Sequence, residues 1–309
     1  MSLHAPLLPG DYLEDIESST IHLHVAYSAT GYPIALMKYA ESESATPWRR
    51  PTGVHLERLI ETYAPQLAAS RGPMIHDPYY GVYVPTVKGR LLIHYSSRGA
   101  LEEAFRRPWC RMAEVAAELA AQAGLREAGI TGSLLLAAQH SRSDIDIVVH
   151  GYRSALRLVE EHPGDPLPAR ELAAWASGEA RHRWITPLDA ARMYRAWSRM
   201  RYRGYTVSVS LQAPSAPWRR TITYTRVMAR CTAAVKPYQE TVMEYPAVVR
   251  EFEGCTEYAE VIVLDGFYKP ALFEGGVYDV LGLQVLVDGE KALLVGDREK
   301  PGYIKPHNP

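Results

Sequence analysis

The chain has 309 residues, a formal net charge of −1, 47% hydrophobic and 22% charged residues. These values describe an ordinary globular chain and exclude a uniformly basic nucleic-acid binder. The length allows two or three domains, and with no run of about 18 apolar residues and no charged-then-apolar leader in MSLHAPLLPGDYLED, a cytoplasmic protein without a membrane partner is expected.

Residues 1–100 hold short alternating runs, TIHLHVAYSA, YPIALMKYA and GRLLIHYSS, separated by turn-rich TPWRRPTG and HDPYYGVYVP. That pattern predicts a small β-rich domain with one helix around Val54–Leu67. His22 and His24 fall on one face of the first run; without a third ligand nearby, a structural strand pair is expected rather than zinc.

Residues 101–217 form a second block. LEEAFRRPWCRMAEVAAELAAQAG predicts a helix with Pro108 in a first-turn position and Gly124 at its end. Further helices are expected at Ala169–Gly178 and Pro187–Arg203, and YTVSVSLQ alternates strictly as a strand. The prolines of QAPSAPW mark the boundary with residues 218–309, which are all-β in pattern. There Asp288-Gly289 between two apolar runs signals a two-residue hairpin, and a small closed or nearly closed barrel is expected. The fold class is therefore α+β, with a central mixed sheet and helices between two β-rich blocks.

Cys110, Cys231 and Cys255 are odd in number and widely spaced. Buried small hydrophobes are expected of them rather than a disulfide or a zinc site. The 27 arginines against 7 lysines fit a GC-rich genome as well as phosphate recognition, and so decide nothing.

The chemistry concentrates in GITGSLLLAAQHSRSDIDIVVHG, Gly129 to Gly151. Asp144 and Asp146 stand among Ile145, Ile147, Val148 and Val149, a strand pattern that points both carboxylates to one side about 7 Å apart. Two like charges so placed need a cation between them or access to solvent. Carboxylate pairs are hard oxygen ligands suited to Mg²⁺ or Mn²⁺. Gly132-Ser133, ten residues upstream, supplies a turn that lets backbone approach a phosphate, with a hydroxyl donor beside it. Arg142, in the intervening loop, has a permanent charge and a fork that suits phosphate oxygens better than His140 does. His150, at the strand end, is expected to be structural.

This stretch resembles the signature of the DNA polymerase β-like nucleotidyltransferase superfamily, a Gly-Ser turn followed by an Asp-x-Asp strand. The whole chain also resembles a family of predicted archaeal nucleotidyltransferases, through GDYLE, IALMKYA, HDPYYGVYVP and FYKPALFEGGVYDVLGLQVLV. The resemblance implies that Gly132 and Ser133 hold a triphosphate and that Asp144 and Asp146 bind the divalent metal. The superfamily usually adds a third carboxylate from a later strand. Here that strand offers Thr206, Ser208 and Ser210, and Asp265 in VLDGF is the substitute from elsewhere.

Seven arginines lie between Arg181 and Arg203 against one acid, Asp189. On a helix, Arg192, Arg195 and Arg199 share a face. They form either a basic stripe for a polynucleotide backbone or a face whose charges pair with acids of another domain. The interleaved Tyr194, Trp197, Tyr202 and Tyr205 are expected in the core more than stacked on bases. The C-terminal block is not basic, which favours a docking role over oligonucleotide binding. Together these features predict a Mg²⁺-dependent transferase moving a nucleoside monophosphate from an NTP to a hydroxyl, with RNA as the favoured acceptor. The alternative is a catalytically silent nucleotide- or RNA-binding protein.

Overall fold

The computed structural model describes residues 6–60, 72–214 and 216–308. The N-terminal block contains β1 (Tyr12–Asp15), β2 (Thr20–Tyr27), β3 (Pro33–Ser42), β4 (Trp48–Arg49), β5 (His55–Arg58), the hairpin β6 (Met74–Asp77) and β7 (Val82–Pro85), and β8 (Leu92–Tyr95). Six of these make an antiparallel sheet in the order β4-β5-β3-β2-β1-β8. The helix expected around Val54–Leu67 is replaced by strand β5 over its first part; positions 61–67 lie outside the described residues.

Strand β2 is buried along nearly its whole length rather than on alternate residues. His22 and His24 are thereby enclosed. His22 hydrogen-bonds Thr20 at 2.9 Å, and burial pushes both rings down to about 4, so they are neutral at physiological pH.

In the second block α1 (Ser97–Arg106) and α2 (Arg111–Gln122) replace the single expected helix. Pro108 sits in the break, not in a first turn. Its ring disfavours helical backbone at Arg107, which has φ −152° and ψ 84°. The chain continues through β9 (Ala128–Thr131), α3 (Gly132–Leu135), β10 (Ile145–Val149), α4 (Tyr152–Glu161), β11 (Asp165–Pro166), α5 (Ala169–Ala180), α6 (Pro187–Met193), β12 (Arg199–Tyr202) and β13 (Tyr205–Leu211). The sheet order is β11-β12-β13-β10-β9, with β10 and β13 parallel and the remaining pairs antiparallel. This is the expected mixed sheet.

The helix expected to reach Arg203 stops at Met193. Arg203 and Gly204 both have positive φ, 50° and 86°, and form a two-residue hairpin turn joining β12 to β13. Strand pairing across that turn takes Arg199–Tyr202 out of the helix. Arg192, Arg195 and Arg199 therefore do not share a helix face.

The C-terminal block holds β14 (Ile222–Val235), β15 (Ala247–Val249), β16 (Phe252–Glu253), β17 (Glu260–Val263), α7 (Lys269–Glu274), β18 (Gly276–Val287), β19 (Glu290–Val295) and β20 (Tyr303–Pro306). Its seven strands curl into one nearly closed, barrel-like sheet. Asp288 and Gly289, at φ 52° and 93°, form the anticipated hairpin turn between β18 and β19.

Cys231 and Cys255 form a disulfide, which corrects the expectation of three unpaired thiols; Cys110 is free. The antiparallel pairing of β14 with β16 brings the two Cα atoms to 5.6 Å, a proximity that sequence spacing does not display. One core cluster joins α1, α2 and the central sheet to Val235, Tyr268 and Phe273; a second joins the N-terminal sheet to Ile262, Leu283 and Leu294. The C-terminal sheet thus packs on both other blocks. No described helix is long and apolar enough to cross a membrane.

Candidate functional site

Asp146 lies in β10 with Thr131 of β9 on one side and Ser208 of β13 on the other. Asp144 precedes the strand by one residue, so both face the same way. Thr131 ends β9 and Gly132 begins α3 at φ +70°, where residues with a Cβ are disfavoured. A Cβ at Gly132 would stand 2.0 Å from Asp146 Oδ2 and 2.8 Å from its Cγ. Glycine is therefore required twice over, once for its backbone and once to seat the carboxylate. The Gly-Ser turn and the Asp-x-Asp strand are one packed unit, as their spacing suggested.

Ser133 is buried, with its Oγ 3.4 Å from Ser143 Oγ. Ser143 also accepts from the His140 amide at 2.9 Å, and the Arg142 amide donates to His140 Nδ1 at 3.1 Å. These bonds fold the loop so that Ser133, His140, Arg142, Asp144 and Asp146 all line one cavity of about 1530 Å³, together with residues of the N-terminal and C-terminal blocks.

The cavity surrounds the carboxylates with cations. Arg199 Nη2 donates to Asp144 Oδ2 at 2.7 Å, and its Nη1 donates to Ser208 Oγ at 2.5 Å. Lys38 and Arg58 approach Asp146 from the N-terminal sheet. Burial of the cavity floor pushes the Asp146 carboxyl up; the Asp144 charge adds to this, and Lys38, Arg58 and Arg199 oppose it. Burial likewise pushes the Lys38 ammonium down to about 7, with the Asp146 charge working against that shift.

A second charged cluster borders the first. Arg183 donates to both oxygens of Asp265, at 2.7 and 2.9 Å, and to Glu179 at 2.5 Å. Although burial opposes its charge, Asp265 and Glu179 keep the guanidinium fully protonated. Asp265 is thereby committed to Arg183 and is not the substitute carboxylate. Ser208, beside Asp146, occupies the strand position where a third carboxylate was sought.

The three arginines of the anticipated stripe go separate ways. Arg192 donates to Asn308 at 2.7 Å, Arg195 pairs with Glu274 of α7, and Arg199 binds Asp144. Two have partners in the C-terminal block, as the paired-charge alternative requires. Trp197 and Tyr202 are buried in the core, while the Tyr194 hydroxyl donates to the Arg199 carbonyl at 2.7 Å. His150 is structural, in contact with the Gln212 carbonyl at 3.0 Å.

Two site residues escaped the sequence reading. Lys38 in IALMKYA and Lys269 in GFYKPALF are lone cations within apolar runs, the same anomaly that drew notice to the aspartates. Lys269 is buried and donates to the carbonyls of Leu211 and Met243, both at 3.2 Å, and burial pushes it down to about 7.

Among the described residues, no group of three or more His, Cys, Asp or Glu side chains converges on a metal position. Two carboxylates facing three cations do not make a resident Mg²⁺ site. They do fit an ion delivered on a polyphosphate, because Mg²⁺ is commonly held by one or two carboxylates plus substrate phosphate oxygens. The chain matches no family model, no curated protein and no solved structure.

Proposed function

We propose that the cavity binds a nucleoside triphosphate with its Mg²⁺, at a site of the nucleotidyltransferase type, and that the reaction is transfer of a nucleoside monophosphate to a hydroxyl. The observation that carries this reading is the seating of Asp146 against Gly132, where not even a methyl group fits. That contact couples a phosphate-approach turn to a carboxylate pair inside a cation-rich cavity. A triphosphate brings more negative charge than its Mg²⁺ neutralises, which suits the surplus of Lys38, Arg58 and Arg199 over two carboxylates. Arg199 then exchanges Asp144 for a phosphate oxygen, and Asp144 and Asp146 meet the incoming ion. In the transfer the acceptor oxygen bonds to the α-phosphorus, the bond to the β-phosphate bridging oxygen breaks, and the hydroxyl proton leaves on the pyrophosphate.

A second reading, a silent nucleotide-binding protein, is favoured by one specific observation: Ser208 stands beside Asp146, and Arg199 bridges the two strands there. Calorimetry with ATP and Mg²⁺, followed by incubation with α-labelled NTPs, separates them. The transferase reading expects NTP binding lost in Asp144→Asn/Asp146→Asn and label moved to a hydroxyl acceptor in the wild type. Binding without transfer supports the silent reading, and equal affinity in the double variant refutes both.

A further inference from the structure

The cavity is larger than one ligand requires. At about 1530 Å³ it exceeds the roughly 300–1,000 Å³ usual for a site holding a single small molecule. Its walls also change character away from the aspartates. Ser208, Ser210 and Gln212 of the β13 edge line it at every second position, so they share one face of the strand. At about 3.3 Å per residue that polar row spans roughly 13 Å. Ser208 pairs with Asp146 and Ser210 with Val148, so the row leads away from the carboxylates. Opposite stand the apolar side chains of Leu23, Val25, Leu36 and Val84 from the N-terminal block.

Beyond Gln212 the Ala213 amide bonds to the Met243 carbonyl, and the cavity reaches Tyr245 with Tyr80 and Tyr224. These three phenols lie within electrostatic reach of one another, and burial raises each above the usual tyrosine range. Tyr80 is only 3% exposed, and its hydroxyl is a buried polar atom with no hydrogen-bond partner among the described residues. Such a group is costly unless something meets it. A polar floor, an apolar roof and a hydroxyl end without a partner match a ring that is apolar on one face and hydroxylated at its rim. A polynucleotide would instead need a track of free cations, and the nearby arginines are held by Asn308, Glu274 and Asp144.

We propose that this second chamber binds a small hydroxylated ring compound of the sugar class, laid along β13 from Ser208 toward Tyr80. Its role as the acceptor of transfer rests on the function proposed above; its binding does not.

The test uses the full chain and phenyl β-D-glucopyranoside as probe, followed by saturation-transfer NMR, with ATP binding measured by calorimetry on the same samples. The expected result is saturation transfer to the glucoside in the wild type, weakened about threefold to tenfold by Tyr80→Phe and abolished by Ser210→Trp. It persists in Asp146→Asn and in the presence of a short oligouridylate. No transfer to the glucoside, survival of its binding in Ser210→Trp, or its displacement by the oligouridylate overturns the proposal. ATP bound without glucoside defeats the chamber alone, and glucoside bound without ATP defeats the nucleotide reading alone.

Discussion

Gly132→Ala tests whether the turn and the aspartate are one unit. Alanine at φ +70° costs about 1–2 kcal/mol for left-handed backbone alone. Its Cβ would also lie 2.0 Å from Asp146 Oδ2, 2.8 Å from Cγ and 3.0 Å from Cβ. Rotation of the carboxylate relieves the first two contacts but not the third, because Asp146 Cβ is fixed by strand β10. Overpacking of this kind costs about 1–3 kcal/mol, so the total loss is about 2–5 kcal/mol. Asp146→Ala removes the carboxylate from the clash and separates the parts. In the double variant the Gly132→Ala penalty should fall toward the backbone term of about 1–2 kcal/mol. Urea unfolding of the four proteins gives the coupling energy directly. Additivity within about 0.5 kcal/mol would refute the close approach of Gly132 to Asp146, and with it the observation on which the proposed site depends.

Three further outcomes follow from other parts of the fold. Arg183→Met leaves Asp265 and Glu179 as uncompensated buried charges and should cost about 3–5 kcal/mol, with much of it recovered in Arg183→Met/Asp265→Leu by denaturant unfolding. Cys231→Ala/Cys255→Ala opens a disulfide spanning 24 residues and should lower stability by about 3 kcal/mol on the loop-closure argument; an unchanged Tm, or three titratable thiols in the unreduced unfolded protein, would contradict the bond. Lys269 has a folded pKa of about 7 against 10.5 for its ordinary state, so between those values the unfolded chain binds more protons and stability should rise with pH. The gain ends near pH 10, where Tyr224 and Tyr268, raised by burial, begin to oppose it; Lys269→Met should flatten the rise in Tm between pH 7 and 10.

The legible features of the sequence were those whose cause is local. Asp144 and Asp146 among β-branched residues, the Gly132-Ser133 turn and Asp288-Gly289 each carry their reason within a few positions, and each stands where that reason places it. The arginine helix failed for the same kind of cause read too narrowly. Spacings of three and four join Arg192, Arg195 and Arg199, yet the Arg203-Gly204 turn lies only a few residues on, and pairing of Arg199–Tyr202 with β13 outweighs helical periodicity. Lys38, Arg58 and the Cys231–Cys255 bond depend on contacts between distant segments, which no window of sequence contains. The both-sided burial of β2 belongs with them, because it arises from what the other blocks lay against that sheet.

The charges explain why the central strand pair tolerates its anomalies. Asp144 and Asp146 would repel in an apolar sheet, and Lys38 would not keep its charge in an apolar wall. Brought together across the cavity, Lys38 faces Asp146 and Arg199 holds Asp144, so each ion offsets part of another's desolvation. That balance is achieved without the third carboxylate, because Ser208 gives Arg199 Nη1 an acceptor where an acid would have given it a counter-charge. An additional acid at this position would draw Arg199 more firmly onto the strands and neutralise the surplus that attracts a polyphosphate. The serine therefore suits a site whose first task is to take in an anion, and it leaves Arg199 free to exchange one oxygen for another when that anion arrives.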